Sequence, residues 1–251
     1  IVKRRLDPLM LALNGQGFLN GHTPFSAMLG FVSLLIAAGT GYPNIALSNE
    51  SSASEATVPD TRINHQYSKS IDFERDFRNY VKQNIHPQLN YFSLLRPINE
   101  LQIAERFSRH TAYHSVFRSC NAGSKTDSWC GKCPKCLFTW IVLSPFLDSN
   151  ELHKIFGKRM EDDDDLVALL ESLAGQTDIK PFECVGTVDE VQAVMAWHQT
   201  GKTAFAGSPL LRLYFEKNPV QFKGEHYLKL LLKAYNQMHY VPQQWLKLLE
   251  D

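Results

Sequence analysis

At 251 residues, with 44% hydrophobic and 21% charged side chains, the chain is long enough to bury a sizeable core as one large domain or two small ones. Its 26 basic and 26 acidic residues cancel, so no global field draws it to nucleic acid or to an anionic membrane surface, and neither is expected as a partner. The most apolar run, residues 25–39, is shorter than the roughly 20 residues a membrane span needs and fits a buried helix instead. The opening segment, IVKRRLDPLM, has no signal-peptide apolar stretch and begins with Ile. A cytoplasmic chain is expected, cut from something longer.

In chain order, residues 24–38 are predicted to form a helix packed on several sides, with Pro24 in its first turn and Gly39 and Gly41 stopping it. NIAL, at 44–47, opens a short apolar strand that ends in Ser48, Asn49 and Glu50. A Ser-, Ala- and Thr-rich loop and the segment RINHQYSKS follow. They lead to an amphipathic helix over 71–85, where Phe73, Phe77, Tyr80 and Val81 recur at helical spacing. LNYFSLLRP reads as a second strand, Pro97 opens a helix through INELQIAERFSRH, and HSVFRSC reads as a third strand. This alternation predicts an α/β fold, a parallel sheet with flanking helices. Ligands in such sheets sit beyond the carboxyl ends of the strands, which here are Asn49 and Glu50, Arg96, and residues 119–121.

Beyond Cys136, helices are predicted at 137–147, 149–156, 165–174, 188–200, 225–237 and 243–250, with breaks at Pro181, Gly186 and TGKTAFAGSP. The acidic run EDDDD at 161–165 reads as a helix cap or a solvated turn. Two regions result: 1–147, holding the sheet and most of the cysteines, and 148–251, mostly helical.

Cys120, Cys130, Cys133 and Cys136 stand as C-x9-C-x2-C-x2-C, four of only five cysteines. A disulfide framework is not expected in a large chain of this kind, and a redox pair needs only one C-x2-C. Four soft sulfur ligands, three of them on the tight knuckle CGKCPKC, suit tetrahedral zinc. An iron–sulfur cluster is the alternative that four thiolates also fit. Lys132 and Lys135 would offset the charge of a zinc tetrathiolate. With every position filled by sulfur the role would be structural, pinning 116–119 to the helix near Leu137. Cys184, in PFECVG, is expected to be a buried structural thiol.

A strand followed by Ser-Cys and a spaced CGxCxxC knuckle resembles the zinc region of the 7-cyano-7-deazaguanine synthases, members of the PP-loop ATP pyrophosphatases. The segments NGQGFLNGHTPFSAM, LSNESSAS, NHQYSKSIDFERDF, YFSLLRPINELQIAERF, RSCN, WCGKCPKCLF, IFGKRMEDD and KPFECVG go further. Their order and spacing resemble the UDP-N-acetyl-α-D-muramoyl-L-alanyl-L-glutamate epimerase family, over roughly residues 1–190. The resemblance implies a PP-loop-like fold and ATP-dependent inversion of the terminal L-Glu of a UDP-MurNAc-dipeptide through an acyl-adenylate, with magnesium. That family's GGxxDS-type phosphate loop has no counterpart here. The chain is therefore expected to lack the N-terminal phosphate-loop part, which becomes an expected partner, and to be inactive alone.

On this resemblance Glu50 is the first choice for the α-proton base or a magnesium ligand, followed by His65 and Lys69. His22 lies where a helix start would favour an anion, Arg96 would hold a substrate carboxylate as a fork, and Asn49, Asn64 and Ser68 would orient by hydrogen bonds. Two other readings stand beside it: another adenylating ligase of the deazaguanine-synthase type, or a zinc-stabilised binding module without catalysis.

Overall fold

A computed structural model describes residues 1–249 apart from 4, 6, 19–24, 57, 59, 60, 62, 124, 125, 182, 202 and 220–225. His22 and Pro24 lie outside the described residues. Asp7 caps a first helix α1 (Pro8–Gly15), its carboxylate accepting the Leu9 N–H at 2.8 Å. Then come α2 (Phe25–Thr40), β1 (Asn44–Leu47), α3 (Ile71–Asn84) and β2 (Asn90–Ser93). β1 and β2 pair in parallel, from Asn44 opposite Asn90 to Leu47 opposite Ser93. The connection between them runs through α3, as a parallel pair requires a crossover.

α3 forms where the apolar spacing predicts it. Ser70 caps it by accepting the Phe73 N–H at 3.2 Å, and Asp72 and Glu74 occupy its positive first turn. Its Phe77 and Val81 are buried with Ile45, Leu89 and Tyr91 of the sheet layer. The Phe77 and Tyr91 rings meet edge-on at 4.6 Å. α2 packs over the same layer, and Gly30 allows the approach: a Cβ there would stand 3.1 Å from the Phe77 ring. The helix expected to pack on several sides packs on one. Gly30, Leu34 and Ala37 are buried, whereas Leu29, Phe31, Leu35 and Ile36 are exposed.

The expected third strand does not form. Residues 114–119 follow a short 3₁₀ turn, with Val116 and Phe117 N–H both donating to the Tyr113 carbonyl. Phe117 is wedged between the Phe107 and Trp129 rings, at 4.8 and 5.2 Å, and Val116 points to solvent. Of the two apolar residues that suggested a ladder, Phe117 fills an aromatic stack instead.

α4 (Glu100–Ser108) starts at Asn99, not at Pro97, through a reciprocal capping box with Gln102. The helices that follow are α5 (Pro134–Leu143), α6 (Ser149–Phe156), α7 (Val167–Leu173), α8 (Val188–Gln199), α9 (Pro209–Lys217), α10 (His226–Leu231) and α11 (Gln243–Leu246). α5 is the axis of the larger core, with Leu137, Trp140 and Ile141 wholly buried among residues of α4, α6, α7, α8 and α9. α9 was not anticipated, although Ser208, Pro209 at its first position and the spacing of Leu210, Leu211 and Tyr214 announce it. α10 stops at Leu231, short of the predicted 237, because the carbonyls of Leu232 and Ala234 accept from Gln102 Nε2 at 3.2 and 3.1 Å. The acidic run makes two short turns; Glu161 is buried there, accepting from Ser149, and Asp163 pairs with Lys158 at 2.7 Å. Among the described residues no helix is long and apolar enough to cross a membrane.

Candidate functional site

Three cavities of about 500, 340 and 220 Å³ adjoin where the carboxyl ends of β1 and β2 face α4 and the segment 183–186. They share walls. Lys69 lines the two larger ones, Glu100 the first and third, and Cys184 the second and third.

Most of the residues expected at a site meet in this cleft. Asn49 and Glu50 line the 500 Å³ cavity, and His65 and Ser68 the 340 Å³ one. Glu50 caps a turn (Ser51–Ser54), its Oε2 accepting from Ser52 Oγ at 2.9 Å and from the Ala53 N–H at 3.0 Å. Asn49 Nδ2 donates to Ser93 Oγ at 3.1 Å, which ties the two strand ends together. Asn64 donates to the Ala53 carbonyl at 2.9 Å and accepts the Gln66 N–H at 2.7 Å, so it shapes the loop that carries His65. Lys69 Nζ reaches Cys184 Sγ at 3.2 Å. Ser119 and Asn121, expected at a strand end, line the two smaller cavities although no strand delivers them.

Arg96 has a different place from the one expected. Its side chain is fully buried, donating to the Glu50 carbonyl at 2.6 Å, the Lys69 carbonyl at 2.5 Å and Glu74 Oε2 at 3.3 Å. Glu74 in turn accepts the Ser93 N–H at 3.1 Å. The guanidinium fork is thus occupied inside the protein, and no fork is presented to a substrate carboxylate. What it does is hold the backbones of Glu50 and Lys69 in one frame. Cys184 is also corrected: it is exposed at the cleft rather than buried.

Two acids were missed. Glu190 is almost inaccessible, and its carboxylate serves two helix starts at once. Oε2 accepts from Thr187 N–H and Oγ1 at 2.7 and 2.8 Å at the head of α8. Oε1 accepts from the Glu100 N–H at 2.7 Å at the head of α4. Glu100 lines the cleft beside it. Burial, and then the negative charges of Glu50 and Glu190, push the Glu100 carboxyl well above its ordinary range, with Lys69 pulling the other way. Burial also raises Glu190, against the Thr187 donors. The T-x-x-E spacing at 187–190 signals a capping box in the sequence, but nothing local shows that a second helix shares its acid. Lys180 pairs with Glu55 and donates to the Gly186 carbonyl, tying the segment after Cys184 to the turn after Glu50.

The cysteine knuckle borders the cleft through Asn121, whose Nδ2 donates to Glu183 at 2.9 Å and whose Oδ1 accepts from Lys135 at 3.1 Å. Cys120, Cys130, Cys133 and Cys136 present sulfurs that all lie within 4.8 Å of one another and could hold a metal ion. Three of the separations are 3.5, 3.7 and 3.8 Å. A tetrahedral zinc with Zn–S bonds of about 2.3 Å requires sulfurs about 3.8 Å apart, so the arrangement is consistent with a structural zinc. The N–H groups of Gly123 and Cys130 donate to Cys120 Sγ at 3.2 and 3.4 Å, which orients the ligand. Gly131 takes a φ of +65°, a backbone conformation that favours glycine, with the movable end of Lys158 beside it.

Residues 1–94 match the MurL N-terminal domain and residues 115–227 the MurL C-terminal domain. The chain is 38% identical over 203 residues to the UDP-N-acetyl-alpha-D-muramoyl-L-alanyl-L-glutamate epimerase of Xanthomonas oryzae pv. oryzae, covering 78% of this chain and 45% of that protein. Similar proteins of the same description occur in Salinispora tropica, 37% identical over 75% of this chain and 42% of the relative, and in a Micromonospora species, 36% identical over 75% and 43%. The chain therefore spans less than half the length of the curated relatives it matches. No solved structure matches it.

Proposed function

The chain belongs to the MurL family of UDP-N-acetyl-alpha-D-muramoyl-L-alanyl-L-glutamate epimerases, and from that premise we propose that the whole protein inverts the terminal L-Glu of UDP-MurNAc-L-Ala-L-Glu to D-Glu. The reaction serves peptidoglycan precursor synthesis and runs in the cytoplasm, with ATP and magnesium. The reading rests on the cleft, which gathers Glu50, His65 and Lys69 at the carboxyl ends of two parallel strands.

The chemistry explains why ATP is needed. The α-hydrogen of a free carboxylate is barely acidic, because its removal would stack a carbanion on an anion. Joining the α-carboxylate to AMP, with release of pyrophosphate, removes that charge and lets the carbanion form as an enolate. A modest base can then take the proton, and hydrolysis of the AMP ester returns the acid. Glu50 is the proposed base, His65 and Lys69 assist proton movement and oxyanion stabilisation, and Asn49, Asn64 and Ser68 orient. No residue of this chain is assigned to the triphosphate. We further assign zinc to the cysteine knuckle in a structural role, supported by the sulfur spacing and a ligand set with no open position. Metal analysis of the purified protein checks this, with one zinc per chain expected and iron absorbance in its place overturning it.

The test of the function is incubation of the full-length protein with UDP-MurNAc-L-Ala-L-Glu, ATP and magnesium in deuterium oxide. D-Glu carrying one α-deuterium, formed only with ATP, is the expected product. Unchanged L-Glu from a folded, metal-loaded protein overturns the reading.

A further inference from the structure

Inversion at a carbon removes a proton from one face and delivers one to the other, and Glu50 alone flanks only one side of the cleft. We propose that Cys184, held by Lys69, is the second proton-transfer group of the epimerisation; this rests on the function proposed above. Lys69 stands where the cavities join. On one side of it Glu50 lines the 500 Å³ cavity. On the other, Cys184 lines the 340 and 220 Å³ cavities, and neither residue lines the other's space. An α-carbon lodged at Lys69 thus has a carboxylate on one flank and a sulfur on the other.

The sulfur is placed for this work by more than its exposure. Cysteines that react do so as thiolates beside a cation, and Lys69 brings an ammonium to 3.2 Å from Sγ. Lys69 is itself fixed, because its carbonyl is bonded at 2.5 Å to the buried guanidinium of Arg96, which also bonds the Glu50 carbonyl at 2.6 Å. One buried cation therefore sets the spacing between the Glu50 segment and the Lys69–Cys184 pair. The opposite wall is fixed too: Glu183 is tied to Asn121, and Lys180 to Glu55 and Gly186.

The step balances without any further reagent. Glu50 removes the α-proton, and the C–H electron pair passes into the enolate of the activated ester. The Cys184 thiol then gives its proton to the opposite face of the α-carbon, and the S–H pair stays on sulfur as a thiolate facing the Lys69 ammonium. Solvent returns the proton from Glu50 to the sulfur. In the reverse direction the thiolate removes and Glu50 delivers.

The experiment uses full-length protein with Cys184→Ala, a change at an exposed position, with the melting temperature checked against the wild type. In deuterium oxide with ATP and magnesium, L-to-D conversion is expected to fall at least ~100-fold, the scale of a lost acid or base. Glu50 still works from its own face, so one epimer alone continues to take up α-deuterium with its configuration retained, and AMP release persists. Conversion within about threefold of the wild type overturns the proposal, as does simultaneous loss of exchange in both epimers and of AMP release, which marks a structural or adenylation role. The wild-type arm separates the two readings, since its failure to epimerise removes the proposed function itself. Labelling of Cys184 by iodoacetamide, mapped by mass spectrometry, is expected to slow several-fold in Lys69→Met; equal rates overturn the role given to the lysine.

Discussion

Around β1 and β2 the core is small and partly ionic, whereas around α5 it is large and continuous. Among the described residues, seven buried apolar side chains form the first cluster and thirty-one the second. The sheet half adds a buried Arg96–Glu74 pair and leaves the outer face of α2 exposed. The helical half adds the cysteine knuckle and a buried neutral histidine, His198, bonded to Ser144 Oγ at 2.8 Å and Thr203 Oγ1 at 3.1 Å. The cleft runs along the boundary. One half presents Glu50, His65 and Lys69 on a frame organised by charge, and the other presents Cys184 beside a core organised by packing.

The sharpest way to break this contrast is at the knuckle. Cys136→Ser removes a wholly buried sulfur and is expected to release the metal and cost the helical half about 5 kcal/mol or more, read as lost zinc and a lost thermal transition. Next comes the ionic frame. Arg96→Met leaves Glu74 buried and uncompensated and is expected to cost about 3–5 kcal/mol in urea unfolding, most of it recovered when Glu74→Gln is added. A packed site would show no such recovery. Trp140→Ala in the large core is expected to cost about 3–5 kcal/mol, and Leu34→Ala, under the one-sided α2, about 2 kcal/mol. Equal losses would erase the contrast between the cores.

The smallest effects, near neutral pH, are expected to carry opposite signs at two buried groups, His198 and Glu100. His198 is held neutral by burial, its pKa lowered to about 3. Its contribution to stability is present above the unfolded value of 6.5 and is lost as pH falls from there toward 3, at about 1.4 kcal/mol per unit. His198→Gln should flatten that acid limb. Glu100 is raised, so its contribution is present below the ordinary carboxylate value and is lost as pH rises through the shifted one. Glu100→Gln should therefore raise the melting temperature at neutral pH and not in acid. A common direction for both variants would show that burial does not hold these two groups neutral.

The cysteine cluster was legible because its members are local: spacing alone brings Cys130, Cys133 and Cys136 together, and only Cys120 comes from farther away. α3 was legible for the same reason, its buried positions recurring every three or four residues. The parallel sheet was legible in kind but not in extent, since HSVFRSC has the composition of a strand but its Phe117 is drawn into the stack with Phe107 and Trp129. Arg96 was located correctly at a strand end, yet its environment depends on Glu74, on a helix 22 residues earlier, which no local pattern announces. Cys184 was misjudged because a lone thiol is usually core, and its lysine neighbour lies 115 residues away in sequence.

The closing residues of the chain fold back on its middle. Asn99 donates to the Leu231 carbonyl at 2.8 Å, Arg106 donates to that of Leu249, and Trp245 meets Phe92 edge-on at 5.4 Å. Arg106 and Leu249 are 143 positions apart. At ribosomal speeds of about 5–20 residues per second, roughly 7–30 s pass between the synthesis of α4 and that of the segment which covers it. During that interval Phe92 and the carbonyl-binding face of α4 stand open on the nascent chain. The cover over α4 and β2 is thus a late product of synthesis, and β2 is where a chaperone or an aggregation partner would find the unfinished protein.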